Sequence, residues 1–246
     1  MIWKIILCFL FGYLIGGINP AYIIGKIRGI DIRQKGSNNA GASNATIVLG
    51  KMIGVFSALF DIAKAFCAFF FAPKIFKGIY LAAEIAGVAA ILGHIFPVLM
   101  KFRGGKGLAC LGGVLLAIDW RFFLILLAAE LVLCIIVDYI CVVPITASII
   151  VPIAYGLFGK QGAAPFLRHA DNGWWGAAIL AVATIAILYK HAQNIYRIRH
   201  GVELHFSYLW RKDKQSEIDR VRANQALFAR RLATAEANEE ITETSH

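Results

Sequence analysis

The chain has 246 residues, 59% of them hydrophobic and 16% charged, with a formal net charge of +10 and a mean hydropathy of +0.67. So little polar sequence cannot cover a soluble core, and the chain reads as a membrane protein. Its cations are spread over segments that flank apolar stretches and form no aromatic-interleaved basic domain, which argues against nucleic acid and for topology and anionic lipid headgroups.

A helix needs roughly 20 apolar residues to cross about 30 Å of hydrocarbon. Such stretches lie at about 2–25, 46–72, 78–100, 107–119, 121–138, 141–158 and 174–195, the fourth being short. The expected architecture is an all-α integral membrane protein of about seven transmembrane helices. The first stretch has one early lysine but no small-residue cleavage site, and is read as a retained helix instead of a signal peptide. No internal repeat supports an inverted-repeat transporter. Five cysteines, Cys8, Cys67, Cys110, Cys134 and Cys141, stand singly without metal-ligand spacing.

Three connections are rich in Lys and Arg: 26–51, 101–107 and 189–214. Even numbers of spans separate them, so all three fall on one face, and the positive-inside bias makes that face cytoplasmic. Parity then puts the N-terminus outside and the C-terminus inside. The expected organisation is a polytopic membrane domain over 1–210 and a charged cytoplasmic tail over 211–246, partly helical or disordered.

Within the basic connections, GSNNAGASNA (36–45) gathers two hydroxyls, Ser37 and Ser43, and the amides of Asn38, Asn39 and Asn44. Such a loop suits oxygen ligands, and equally an ordinary turn. KFRGGKG (101–107) places Gly104, Gly105 and Gly107 around Lys106, just before an apparent helix start. Unobstructed amides beside a helix N-terminus suit a phosphate, with Lys106 and Arg103 adding charge. It is not a Walker loop, since Met100 and Gly107 occupy the required Gly and Ser/Thr places. In HAQNIYRIRHGVE (191–203), His191, Asn194 and Arg197 share one helical face, and Glu203 lies just beyond a glycine cap at Gly201. Asp61, Lys64, Glu84, His94, Glu130 and Asp138 lie within or beside spans and should face protein or water, Asp61 and Lys64 as an i, i+3 ion pair. Three oxygen-binding segments on one face point to a shared site for an anionic substrate.

With these residues in place, the sequence resembles the acyl-phosphate:glycerol-3-phosphate acyltransferase family of the PlsY type. GHIFPVLMKFRGGKGLA (93–109) is close to its central motif, GSNNAGASN (36–44) resembles its GSGNPGATN loop, and HAQNIYRIRHGVE resembles its HxxNIxRLxxGTE motif. The resemblance covers about residues 1–205. It implies a seven-helix enzyme of the bacterial inner membrane, active site facing the cytoplasm, that transfers a fatty acyl group from acyl phosphate to the 1-hydroxyl of glycerol 3-phosphate and makes lysophosphatidic acid. The HxxxxD signature of other glycerolipid acyltransferases does not appear at His94, His191 or His200, since five residues after them stand Leu99, Tyr196 and His205.

By that resemblance, Ser37, His191 and Asn194 are the catalytic candidates. Asn39, Asn44, Gly104, Gly105, Lys106, Gly107, Arg197 and Glu203 are the phosphate- and substrate-binding ones, Glu203 steadying the third motif. No metal and no cofactor are implied beyond acyl phosphate as donor. The mixed anhydride is already activated, so positioning and charge stabilisation can suffice, a substrate phosphate oxygen taking the hydroxyl proton; a His191 general base is the competing mechanism. The chain departs from the family pattern at Ile47, Cys110, Asp138, Cys141 and Val202. A diverged paralogue with another acceptor, or a non-catalytic membrane binder or transporter of anionic lipid intermediates, stays open as the alternative.

Overall fold

A computed structural model describes residues 2–158, 173–203, 205–209, 220 and 223–224, and among them the regular structure is helical throughout. Among the described residues nine α-helices follow in order: α1 (Ile2–Gly17), α2 (Pro20–Ile27), α3 (Ala42–Val48), α4 (Lys51–Ile75), α5 (Ala82–Ile95), α6 (Leu108–Ile118), α7 (Trp120–Val137), α8 (Val142–Phe158) and α9 (Gly173–Arg199).

All seven expected apolar stretches are helical, but their lengths differ from a simple count of seven spans. Among the described residues four helical segments are long and apolar enough to cross a membrane alone: Lys51–Ile75, Ala82–Met100, Trp120–Val137 and Gly173–Arg199. A fifth, the stretch read as one helix over 2–25, is a pair, α1 and α2, bent by 45°. Its break has a local cause: the Asn19 side chain accepts the Tyr22 N–H at 2.8 Å, and Pro20, which has no N–H to offer, opens the new helix. The remaining two, α6 and α8, have 11 and 17 residues. The stretch read as 46–72 divides at Gly50 into α3 and α4.

Two compact units emerge, Met1–Glu130 with Pro144–Lys190, and Leu131–Val143 with His191–His246. In the first, α1 lies along α5, and α4 packs on both α5 and α6. Gly12 and Gly16, one turn apart on α1, face the carbonyls of Ala86 and Ala90 so closely that a Cβ at either would collide with them. In hydrocarbon, where no hydrophobic drive joins helices, small residues that let backbones approach supply the association through dispersion. Its core gathers Ile91, Ile95, Val114, Leu115, Val151, Tyr155, Leu180 and Ile187.

Buried polar side chains in this unit have partners, as the cost of leaving them unmatched demands. Thr146 Oγ1 lies 2.8 and 2.7 Å from the two carboxylate oxygens of Glu130, and the Tyr155 hydroxyl donates to Glu84. The second unit comprises the C-terminal end of α7 with the turn into α8, and the C-terminal end of α9 with the chain after it. The tail expected over 211–246 lies outside the described residues apart from Arg220, Ala223 and Asn224.

Candidate active site

The first loop is built around two side chains. Asn44, fully buried, donates from Nδ2 to the carbonyls of Ile32 (2.7 Å), Lys35 (3.0 Å) and Asn39 (2.8 Å), and its Oδ1 accepts the Ser37 N–H at 2.8 Å. Its amide is therefore committed to the main chain, so Asn44, expected among the substrate contacts, acts here as the knot of the loop. Ser37 stands exposed on the loop and Asn39 is half-buried.

Arg33, just before this loop, closes on Asp31 in a fork, Nε to Oδ1 at 2.9 Å and Nη2 to Oδ2 at 2.7 Å. Its guanidinium also lies over the Tyr22 ring, 4.6 Å from the centroid, and Nη1 donates to the Met100 carbonyl at 2.7 Å. That last bond ties the first loop to the segment leading into the second. The Arg33 hydrogen bonds hold the Asp31 carboxyl well below the usual carboxylate range, against a smaller opposing effect of burial. A depressed folded pKa means the stabilisation is fully present above the unfolded value of about 4 and is lost as pH falls through it toward the folded value. Asp31→Asn is accordingly expected to cost about 2 kcal/mol at pH 7 and to flatten the acid limb of stability below about pH 4, leaving pH 5 to 8 level. Thermal unfolding in detergent across a pH series checks both.

The second loop lies against the last turn of α5. Gly104 N–H donates to the Ile95 carbonyl at 3.2 Å and Gly105 N–H to the His94 carbonyl at 3.0 Å. Both glycines are buried, and a Cβ on Gly104 would strike the His94 carbonyl while one on Gly105 would strike Nε2 of the His94 ring. These two glycines supply clearance, and their amides are already in use. The N–H groups left for an anion are those of the first turn of α6, which begins at Leu108 directly after Gly107. Lys106 is half-buried beside them.

Beneath this loop lies a cluster of buried groups. His94 Nδ1 is 3.3 Å from Asp61 Oδ1 and 3.2 Å from Lys64 Nζ, and that ammonium reaches Asp61 Oδ1 at 2.6 Å and donates to the Ile18 carbonyl at 2.7 Å. The sequence showed Asp61 and Lys64 as a pair, but the third member comes from another helix. Cys110 brings its sulfur within 4.8 Å of the ligand atoms of Asp61 and His94, a grouping that in isolation suits a metal ion. The Lys64 ammonium already faces the lone pairs that would coordinate one, so the donor set belongs to an ion pair.

The third segment is organised within the second unit. α9 ends in a Schellman turn: Val202 N–H bonds the Arg197 carbonyl at 2.9 Å, Gly201 N–H bonds the Ile198 carbonyl at 3.0 Å, and Gly201 has φ +63°. The turn folds Glu203 back along the helix, where its Oε1 accepts from Asn194 Nδ2 at 2.8 Å and its Oε2 lies 3.9 Å from Arg197. His191 and Asn194 are buried, Arg197 and Glu203 partly so. Asn224 Nδ2 donates to the Gly201 carbonyl at 2.7 Å, so at this position the tail closes on the cap.

The departures take defined places. Ile47 is 72% exposed on α3 and Cys110 is fully buried. Asp138 anchors the chain after α9: its Oδ2 is 3.0 Å from His205 Nδ1 and accepts from Ser207 Oγ at 2.8 Å, while the Tyr139 hydroxyl lies 3.1 Å from His205 Nε2. No spacing in the sequence signals that pairing.

The model of a family described as glycerol-3-phosphate acyltransferase matches residues 6–201. Glycerol-3-phosphate acyltransferase 1 of Oceanobacillus iheyensis is 36% identical over 197 residues, 77% of this chain and 88% of that protein. The enzyme of Lactiplantibacillus plantarum is 36% identical over 217 residues, 87% and 98% of the two chains. Among solved structures, crystals of PlsY (YgiH), an integral membrane glycerol 3-phosphate acyltransferase, align with this fold. The glycerol 3-phosphate form gives a TM-score of 0.70 at 31% identity, over 83% of this chain and 96% of that one; the lysophosphatidic acid form gives 0.67 at 30%, over 82% and 94%. Motifs, helical fold and these likenesses agree, and the chain belongs to the glycerol-3-phosphate acyltransferase family.

Proposed function

We propose that this membrane protein acylates the 1-hydroxyl of glycerol 3-phosphate with the acyl group of an acyl phosphate, giving lysophosphatidic acid for phospholipid synthesis. The carrying observation is the likeness to PlsY in forms holding glycerol 3-phosphate and lysophosphatidic acid, an acceptor and an acylated acceptor on one fold. In the proposed step the acceptor hydroxyl attacks the acyl carbonyl carbon, the bond from that carbon to the phosphate oxygen breaks, and the departing phosphate takes the hydroxyl proton. No cofactor is needed, because the mixed anhydride carries the activation.

Binding of the donor phosphate is assigned to Lys106, Gly107 and the first turn of α6, with clearance from Gly104 and Gly105; oxygen contacts fall to Ser37 and Asn39. His191 and Asn194 orient the reacting groups, Arg197 adds charge, and Glu203 holds Asn194 in place. We further assign seven membrane segments, the two shorter helices included, with the N-terminus outside and the basic segments and C-terminus on the cytoplasmic face of a bacterial inner membrane. The Lys and Arg content of 26–51, 101–107 and 189–214 supports that orientation.

A second reading, a paralogue with a different acceptor, is favoured by Ile47 and Asp138, departures from the family pattern that put an exposed apolar side chain and an already engaged carboxylate at their positions. The test is product formation by the detergent-solubilised protein with palmitoyl phosphate and labelled glycerol 3-phosphate, acyl-CoA and acyl-carrier protein donors run in parallel. Lysophosphatidic acid from acyl phosphate alone is expected, falling about 100-fold in Ser37→Ala. Consumption of acyl phosphate without acylation of this acceptor would select the paralogue.

A further inference from the structure

Asp61, Lys64 and His94 are all nine-tenths or more buried, and none belongs to the three oxygen-binding segments. Buried charge in a membrane span is expensive unless paired, and a paired neutral substitute would be cheaper still, so the cluster calls for a role. Its geometry supplies one. The ammonium is held by three partners: the Asp61 carboxylate on its own helix α4, the Ile18 carbonyl at the α1–α2 break, and Nδ1 of His94 on α5. That fixes one edge of the imidazole. The opposite edge, Nε2, lies against Cα of Gly105, while the backbone carbonyls of His94 and Ile95 receive the Gly105 and Gly104 amides. Ring and carbonyls together form the floor on which the loop rests.

We propose that Asp61, Lys64 and His94 are positioning residues for loop 104–107, setting where Gly107 and the first turn of α6 meet the donor phosphate. The inference rests on the acyl-phosphate reading for its substrate, though not for its geometry. An ordinary packing role would be met by any side chain of the same volume. A positioning role demands the polar anchor, because without it the imidazole can turn about its own bonds and the floor of the loop moves with it.

Two folded variants separate these. Asp61→Asn with Lys64→Met removes both charges together, which avoids leaving one buried and unpaired. His94→Phe keeps a flat ring under Gly105 and loses the anchor. Each is compared with the unaltered protein for thermal unfolding, for hydrogen exchange of the 101–110 segment, and for KM and kcat with palmitoyl phosphate. The expected result is a cooperative unfolding transition, exchange of the Gly104 and Gly105 amides faster by about tenfold, and a KM for acyl phosphate raised about tenfold with kcat changed less than about threefold. Unchanged exchange in a folded variant overturns the inference, and so does faster exchange with unchanged KM. Should the unaltered protein make no lysophosphatidic acid, the proposed reaction fails on its own, and the exchange comparison still decides whether the cluster holds the loop.

Discussion

Gly105→Ala is expected to abolish acyl transfer, by about 100-fold or more, while the protein keeps its helical content and remains monodisperse in detergent. The added Cβ meets Nε2 of His94, and the ring cannot step aside because its other edge is engaged by Asp61 and Lys64. The strain therefore goes into the loop. Gly105 N–H leaves the His94 carbonyl, and the first turn of α6 shifts relative to any bound phosphate. Displacements near 1 Å at a reacting group cost about two orders of magnitude in rate. Gly112→Ala is the matched control. That glycine lies on α6, where an added methyl would find only Phe123 Cε2 close by, at 3.5 Å, ordinary van der Waals contact, and activity should be unchanged. Equal losses in both variants would show that the helix, not the clearance under Gly105, is what matters.

The second large effect is expected from Asn194→Asp. Asn194 Nδ2 donates to Glu203 Oε1 at 2.8 Å, so the substitution sets two carboxylates at hydrogen-bond distance with Asn194 itself buried. One of them must take up a proton or the turn must open, at a cost of about 3 kcal/mol, and activity should fall by about 100-fold or more. Exchanging the partners offers a rescue. With Glu203→Gln added, the Gln amide donates to the new Asp carboxylate, and the double variant should recover about tenfold or more over Asn194→Asp alone. Unfolding temperature and kcat/KM for the four members of the cycle measure the coupling. Absence of recovery would mean that the Glu203 charge, near Arg197, is required in its own right.

The sequence carried the parts of this protein that are local. Gly201 was legible as a cap because the residue after a helix so often needs the left-handed backbone that glycine adopts freely, and the bend in the first span was open to the same reading at Asn19–Pro20, where the apolar run concealed it. Asp61 and Lys64 were legible as a pair from their spacing of three. His94 was not legible as their partner, because that contact depends on how α5 packs on α4, which small residues decide helix by helix. Nor was the use of the Gly104 and Gly105 amides, since glycine spacing reports that a backbone can come close to something without naming what it approaches. Asn44 shows the same limit: its residue type suits a ligand or a loop knot, and only the positions of the Ile32, Lys35 and Asn39 carbonyls decide between them.

The pairing of Asp61 with Lys64 also bears on how the chain enters its membrane. α4 precedes α5 in the chain, so it can meet the bilayer before His94 is in place beside it. A single ionised side chain at the middle of an inserting helix is disfavoured by about 2.5 to 3.5 kcal/mol. Because carboxylate and ammonium stand one turn apart on the same helix, 2.6 Å from each other, the interior of α4 can partition with Asp61 and Lys64 closed upon themselves, leaving only the terminal Lys51 and Lys74 as net charge. The pair can thus enter already matched, and the imidazole completes the cluster once α5 packs on α4.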